Sequence, residues 1–468
     1  MRIDTRPTQH AAPTRQRRGA YRAVVVYACT LMSAAGCTRS TAHDRRFEVI
    51  VSGDTAGWIV PCGCTSNQSG GFPRRATYIA AARRQAPVIA LDAGGAPGGV
   101  SEYSQLKFAA LLLGEAAMGV AVHNIGAGEL ALGEATLRAA SSEASVPLVS
   151  ANLADESGRA WFEPLKIVEV GSVRVAVIGV ISPRYATAAA RIKPPQAAIL
   201  AALETVRGAY DRVVVLAYAH EEELTALAES LPEVDLVIGG PTGQSIWPRQ
   251  VGPTWVASAT NKGKFLAHFK FDGRDKPAWT GEIVELDQKQ PDDWDQLANV
   301  KRFHELLDRR DLAAEQTDWA PVPTSWPAGY RVAGTEQCRQ CHHDDCAKWE
   351  ATTHASAWQT LIETGSHVDA ACQHCHVTGF GLPGGFVSAK RSASQSNVSC
   401  ESCHGPSQLH VQNPTKGTAF QGRAQQQCAV CHDEENSPQF EYATYWPRIE
   451  HGAAANAPGK LKSLEALP

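Results

Sequence analysis

Four pentapeptides in the last third of the chain constrain it most: CRQCH (338–342), CQHCH (372–376), CESCH (400–404) and CAVCH (428–432). In each, the two-residue gap lets both sulfurs reach the two vinyl groups along one edge of a porphyrin. The histidine that follows can then rise under the iron. The pattern reads as four covalently bound haem c groups. Their thioether partners are Cys338 and Cys341, Cys372 and Cys375, Cys400 and Cys403, and Cys428 and Cys431. His342, His376, His404 and His432 are the expected proximal ligands. Paired CxxC is also zinc-ribbon spacing, and four pairs would suffice for two all-cysteine sites. Zinc chemistry does not ask for a histidine directly after every pair, so haem is the reading adopted.

These motifs use eight of the 13 cysteines in the 468-residue chain. Cys29 and Cys37 lie near the N-terminus, Cys62 and Cys64 form a CGC, and Cys346 stands alone. No even disulfide framework emerges. A formal net charge of −4 gives no electrostatic case for nucleic acid. Haem attachment points to the far side of a cytoplasmic membrane.

Residues 1–37 agree with that location. Arg15, Arg17, Arg18 and Arg22 precede a short apolar run at 23–35, the layout of a signal peptide too short to span a membrane in the mature protein. Gly36-Cys37 resembles a bacterial lipobox, which makes Cys37 a lipidation candidate and a membrane anchor, although Ala34 stands where leucine is usual. The expected location is the periplasm or the outer face of the envelope.

Residues 46–290 alternate between short β-branched runs (FEVIVSG, APVIALDA, VAVHNIG, VPLVSAN, VRVAVIGVI, RVVVLAY, VDLVIGG) and helical patterns at 104–118, 196–210 and 221–231. Such alternation predicts an α/β domain with helices on the sheet faces.

The same stretch resembles the calcineurin-like metallophosphoesterases of the 5′-nucleotidase branch. The resemblance rests on SGDTAG, LDAGG, MGVAVHNIGAGELALG, LAYAH and IGGPTG. It implies an αββα sandwich whose loops hold two metal ions about 3.5–4 Å apart. Most positions matching the family's ligands are changed. Asp54 remains, but Ala56, Gly95, Ala127, Gly128, Tyr218, Pro241 and Gly243 stand where the family has histidine, aspartate or asparagine. Alanine, glycine and proline offer no ligand side chain. The expectation is a phosphoesterase scaffold without phosphoesterase activity.

Within it, PCGCTSNQSGGFPRRA (61–76) has two readings. Cys62 and Cys64 suit a redox or soft-metal pair, with Arg74 and Arg75 facing an anion or partner. The plainer reading, and the one preferred, is a structural loop with a solvated arginine pair.

Residues 291–333 read as a bridge, helical at 294–311 and then proline-rich, with a boundary near Pro321. A cytochrome domain is expected at 334–452, followed by a tail at 453–468. Only 15 of the 110 residues from 331 to 440 are Leu, Ile, Val or Phe, too few for an ordinary core. Four macrocycles would supply the missing apolar surface, giving a mainly α, haem-packed domain.

Residues 334–451 resemble the tetrahaem c-type cytochromes that accept electrons from hydroxylamine oxidoreductase. The resemblance rests on CRQCH followed by W-x4-HASA, on CQHCHVTGFG, on VSCESCHGP with a later histidine, and on CAVCH followed by WPRIEH. It implies distal iron ligands at His354, His410 and His451. For the fourth iron His343, His367, His374 and His304 are on offer, and the resembled carrier leaves one haem without a distal histidine.

The expected function is exported electron transfer between redox partner proteins, with the α/β domain as an inactive docking platform. The alternative is a multihaem oxidoreductase acting on a small nitrogen or sulfur compound at an open haem. A live phosphoesterase with a haem sensor, and a redox sensor built on Cys62 and Cys64, rank lower.

Overall fold

A computed structural model describes residues 45–61, 68–274, 279–321, 325–420, 423–434 and 436–452. The leader with Cys37, the pair Cys62 and Cys64, and the tail at 453–468 lie outside the described residues. No helix among the described residues is long and apolar enough to cross a membrane.

In chain order the strands are β1 (Phe47–Ser52), β2 (Val88–Asp92), β3 (Val120–Asn124), β4 (Leu148–Val149), β5 (Leu153–Ala154), β6 (Leu165–Val170) and β7 (Val173–Ile181). They continue with β8 (Arg191–Ile192), β9 (Arg212–Tyr218), β10 (Leu236–Gly240), β11 (Ile246–Val251), β12 (Thr254–Ser258), β13 (Phe265–Phe271) and β14 (Trp279–Glu285). Two six-stranded sheets form, ordered β14-β13-β1-β2-β3-β4 and β11-β12-β10-β9-β7-β6, while β5 and β8 make a small ribbon. β1–β4 run parallel in the first sheet and β12, β10, β9 and β7 in the second, while β13 with β14, β11 and β6 join antiparallel.

The sheets face one another across Val49, Val51, Leu91 and Val122 on one side and Val175, Val177, Leu216 and Ile238 on the other. Helices cover both outer faces. Ile50 and Ala90 of the first sheet meet α1 (Phe72–Arg83), α2 (Glu102–Met118) and α7 (Trp294–Arg310) through Phe72, Phe108, Leu111 and Phe303. Ile178, Val215 and Val237 of the second meet α5 (Pro195–Thr205) and α6 (Glu221–Ser230) through Ile199 and Leu224. Strands buried on both faces are apolar throughout, which is why runs such as VRVAVIGVI read as strands without alternation. The expected four-layer αββα sandwich is present. Two further helices, α3 (Ala127–Leu132) and α4 (Glu134–Ala144), follow β3 in the chain.

Helix α2 begins where the Ser101 hydroxyl accepts the Ser104 N–H and ends at Gly119, whose φ of 65° suits glycine. It packs against α7 and α1 so closely that a Cβ on Gly114 would lie 2.6 Å from the Phe72 ring. Gln296 and Asn299 of α7 donate to the carbonyls of Gly114 and Ala110 at 3.0 and 2.9 Å.

The chain beyond α7 stays against this layer. Asp318 accepts from Val100 N, Ser104 Oγ and Ser101, and Asp311 accepts from Ser388 Oγ and Arg391 Nε. Ala370, Val377, Phe380 and Phe386 join the same apolar cluster as α1, α2 and α7. The remaining C-terminal residues form short helices and turns.

Candidate functional site

The CxxCH motifs lie on short helices or at their ends. Cys338 lies in α8 (Thr335–Arg339), and α9 (His343–Glu350) and α10 (Ala357–Thr364) follow. The second motif closes α11 (Ala370–His376), and the third forms α12 (Cys400–His404), with α13 (Gln408–Gln412) after it. The fourth begins with α14 (Cys428–Cys431). In the last three motifs, helical i,i+3 spacing puts the two cysteines on one face. The turns are tied together by polar groups rather than by apolar packing. Buried Glu401, between the cysteines of the third motif, accepts from Ala333 N (2.9 Å), Gly334 N (2.7 Å) and Ser407 N (2.7 Å), which fixes the start of α8 against α12. Thr378 Oγ1 accepts from Ser399 N and donates to the Asn397 carbonyl, joining the second and third motifs.

The histidines fall into pairs. Ring centres lie 6.2 Å apart for His342 and His410, 6.2 Å for His354 and His432, and 5.9 Å for His404 and His451. Two imidazoles bound on opposite sides of one metal at about 2 Å have ring centres roughly 6 Å apart. Each pair contains one motif histidine and one of the three expected distal histidines, so the residues present fit a bis-histidine iron.

Hydrogen bonds orient the rings for the same task. Nδ1 of His410 donates to the Lys416 carbonyl at 2.7 Å, that of His451 to Ile449 at 2.8 Å, and that of His376 to Ala357 at 2.7 Å. With Nδ1 carrying the proton, Nε2 keeps its lone pair for a metal. His432 Nδ1 lies 3.1 Å from Ser437 Oγ, and His342 Nδ1 lies 3.5 Å from Asp345. Burial lowers the pKa of His354 and His404, with a further push from their partner imidazoles, which favours the neutral ring.

The other candidates for the fourth iron are placed differently. His343 is exposed beside Asp344. His374 stacks on Trp319 with ring centres 4.1 Å apart, its Nε2 3.1 Å from Cys375 Sγ. His304 lies 3.4 Å from Asp369. Nδ1 of His367 is buried with no hydrogen-bond partner among the described residues, and its ring meets Trp358.

In the α/β domain, the positions matching phosphoesterase ligands close on themselves. The Tyr218 ring fills the space over Gly95 and Gly126, where a Cβ would come within 2.7 Å of it. Asp54 accepts from Thr260 Oγ1 and Asn261 N, and burial raises its pKa. Nearby lies a fully buried charged set. His123 reaches Glu115 through Nδ1 at 2.8 Å and Glu129 through Nε2 at 3.1 Å. Burial alone would lower the His123 pKa, but Glu115, Glu129 and Asp92 outweigh it and hold it well above the usual value. Glu129 is correspondingly lowered against its own burial, by His123 and by the N–H groups of Ala96 and Gly95. Both ring nitrogens of an imidazolium thus donate to carboxylates.

Arg75 corrects the expectation of a solvated arginine pair. Its guanidinium is fully buried, 2.9 Å from Thr55 Oγ1 and 3.5 Å from Asp92, and it rests on the Phe72 ring. Arg74 is largely buried as well, donating to the carbonyls of Gln68 and Leu286. The PRR segment opens α1, and that helix turns Arg75 inward. The burial of Arg75, and of Glu115 and Glu129 beside His123, could not be read from the sequence, because their partners come from different strands and helices.

The sequence model of the family described as "Cytochrome c554 and c-prime" matches residues 337–405. The C-terminal segment resembles cytochrome c554. Cytochrome c-554 of Nitrosomonas europaea is 26% identical over 172 residues, which cover 29% of this chain and 73% of that protein. The N-terminal part is similar to solved calcineurin-like structures. The 5′-nucleotidase precursor from Thermus thermophilus gives a TM-score of 0.49 at 19% identity, over 57% of this chain and 60% of that chain. The calcineurin-like phosphoesterase YfkN from Bacillus subtilis gives 0.48 at 15%, over 56% and 97%. The cytochrome c554-like match takes in the first three motifs, and CAVCH lies beyond it.

Proposed function

We propose that this chain is an exported tetrahaem c-type cytochrome that passes electrons between redox partner proteins. The observation that carries this reading is the set of three imidazole pairs, 5.9–6.2 Å apart, each joining a CxxCH histidine to a histidine from elsewhere in the segment. Cys338 and Cys341, Cys372 and Cys375, Cys400 and Cys403, and Cys428 and Cys431 would hold four haem c groups as thioethers. His342 with His410, His432 with His354, and His404 with His451 would ligate three irons from both sides, and His376 would ligate the fourth. Haem supplies one-electron chemistry at iron. The chain's part is to orient the rings of His376, His410, His432 and His451 by their Nδ1 bonds and to hold the motifs in a set order through Glu401 and Thr378.

On this reading, residues 46–290 form a docking and positioning platform without hydrolytic activity, 291–333 a bridge, and 334–452 the cytochrome domain. The steric fill by Tyr218 and the internal pairing of His123 support the loss of hydrolysis. Residues 1–37 direct export to the periplasm, with Cys37 as lipid anchor.

The test is to express the chain in a host that matures c-type cytochromes and replace one cysteine pair at a time by serine. Each double variant should carry one haem fewer than the parent. Unchanged haem content in any of the four would contradict the assignment of that motif.

A further inference from the structure

The helix carrying the second motif is anchored by a buried polar network that belongs mostly to the α/β domain and the bridge helix. Asp369 caps α11, accepting from Ala371 N at 2.9 Å through Oδ1, and the same oxygen accepts from the Tyr103 hydroxyl. Lys107 donates to the Tyr103 hydroxyl at 2.7 Å and lies 3.6 Å from Asp369 Oδ2. His304 Nε2 reaches the same carboxylate at 3.4 Å. Tyr103 and Lys107 come from α2 and His304 from α7, all outside the cytochrome c554-like match. The side chains of Asp369, Lys107 and His304 are only 5, 9 and 15% exposed.

Burial would raise the Asp369 carboxyl, but Lys107, His304 and Tyr103 outweigh it and hold it well below the usual carboxylate range. Cys372 N donates to the Asp369 carbonyl at 2.9 Å, which ties the attachment residue to the network.

We propose that Asp369 and Lys107, positioned by Tyr103 and His304, set the reduction potential of the haem attached through Cys372 and Cys375. This rests on the tetrahaem reading above and gives the α/β domain a part in tuning as well as docking. Oxidised haem iron carries one more positive charge than reduced iron. A buried carboxylate therefore favours the oxidised form and a buried ammonium the reduced form, with little solvent screening at such a site. Together the two charges nearly cancel. Removing either one uncovers the other, with opposite sign. A buried ion pair adds little net stability over apolar packing, which leaves charge itself as the reason to keep one here.

The experiment is a spectroelectrochemical titration of the full-length holoprotein and two variants. In Asp369→Asn the cap is retained, because asparagine caps as well as aspartate. It should raise one of the four potentials, and Lys107→Met should lower one. Each shift is expected to be about tenfold in the oxidised-to-reduced ratio, ~59 mV for one electron. Tyr103→Phe, which keeps both charges, should move the potential least. Four haems with unmoved potentials, or shifts of the same sign in both charge variants, would overturn this inference alone. If Asp369→Asn fails to assemble, the sign in Lys107→Met decides. Wild-type protein without covalent haem would overturn the tetrahaem reading, and this inference with it.

Discussion

The imidazole of His410 faces that of His342 with 6.2 Å between ring centres, and the His410 ring is held by the Lys416 carbonyl. A histidine of the first motif and one beyond the third thus share one site. Replacing His410 by alanine should leave four haems attached and open one iron. Absorption and electron paramagnetic resonance spectra should show one haem in four turning high-spin and binding carbon monoxide. A fully low-spin variant would contradict the pairing. The same holds for His354 and His451.

Restoring a carboxylate at position 95 should not restore hydrolysis. Gly95 has a φ of 84°, and a Cβ there would come within 2.7 Å of the Tyr218 ring. Gly95→Asp should cost at least the ~1–2 kcal/mol of a left-handed residue, about the same again for the displaced ring, and lower the melting temperature. Hydrolysis of bis-p-nitrophenyl phosphate with added manganese should stay at background. Turnover in the wild type would refute the inactive-scaffold reading.

His123 is the central cation of the buried set. Exchanging it for glutamine leaves Glu115 and Glu129 buried without their counter-charge, at a cost of about 3–5 kcal/mol. Denaturant unfolding of the two proteins measures this, and a loss below about 1 kcal/mol would mean the imidazole is not charged there.

Much of this was legible in the sequence. Strands such as FEVIVSG and RVVVLAY appear where their β-branched runs lie, and the helix read at 294–311 is α7, Trp294–Arg310. The motif histidines stand out by the fixed local spacing of CxxCH, whereas His354, His410 and His451 were named only through the resemblance to tetrahaem cytochromes. Long-range pairing was not legible. That His410 faces His342 while His354 faces His432 depends on tertiary folding. The edge strand β14 is half-exposed and mixed in polarity, so it lacked the apolar run that marked the inner strands. Arg75 looked solvated because arginine is seldom fully buried without a partner, and its partner Asp92 lies on a separate strand. The same holds for Tyr103 and Asp369, whose contact joins α2 to the second motif.

Acid should destabilise the fold through two depressed carboxyls. Glu129 and Asp369 have folded pKa values below their ordinary 4.5 and 3.8. The unfolded chain therefore binds more protons, and their stabilisation is present above those values and lost as pH falls through the folded ones. His123 has the opposite sign: raised above 6.5, it stabilises fully below that value and loses its contribution only as pH rises through its folded pKa. Melting temperature against pH should decline gently below about pH 6.5, where His354 and His404 take up protons on unfolding, and steeply below about pH 4.5. The fall should be shallower in Asp369→Asn, and an identical acid limb would contradict the assignment.

The proposed electron transfer stands or falls with covalent haem at all four motifs. The decisive observation is the absorption spectrum of the purified, dithionite-reduced protein, quantified for haem per chain. Four haem c groups per chain are expected, and they should survive denaturation and acid–acetone extraction. No covalent haem, in a host shown to mature other c-type cytochromes, would contradict the assignment.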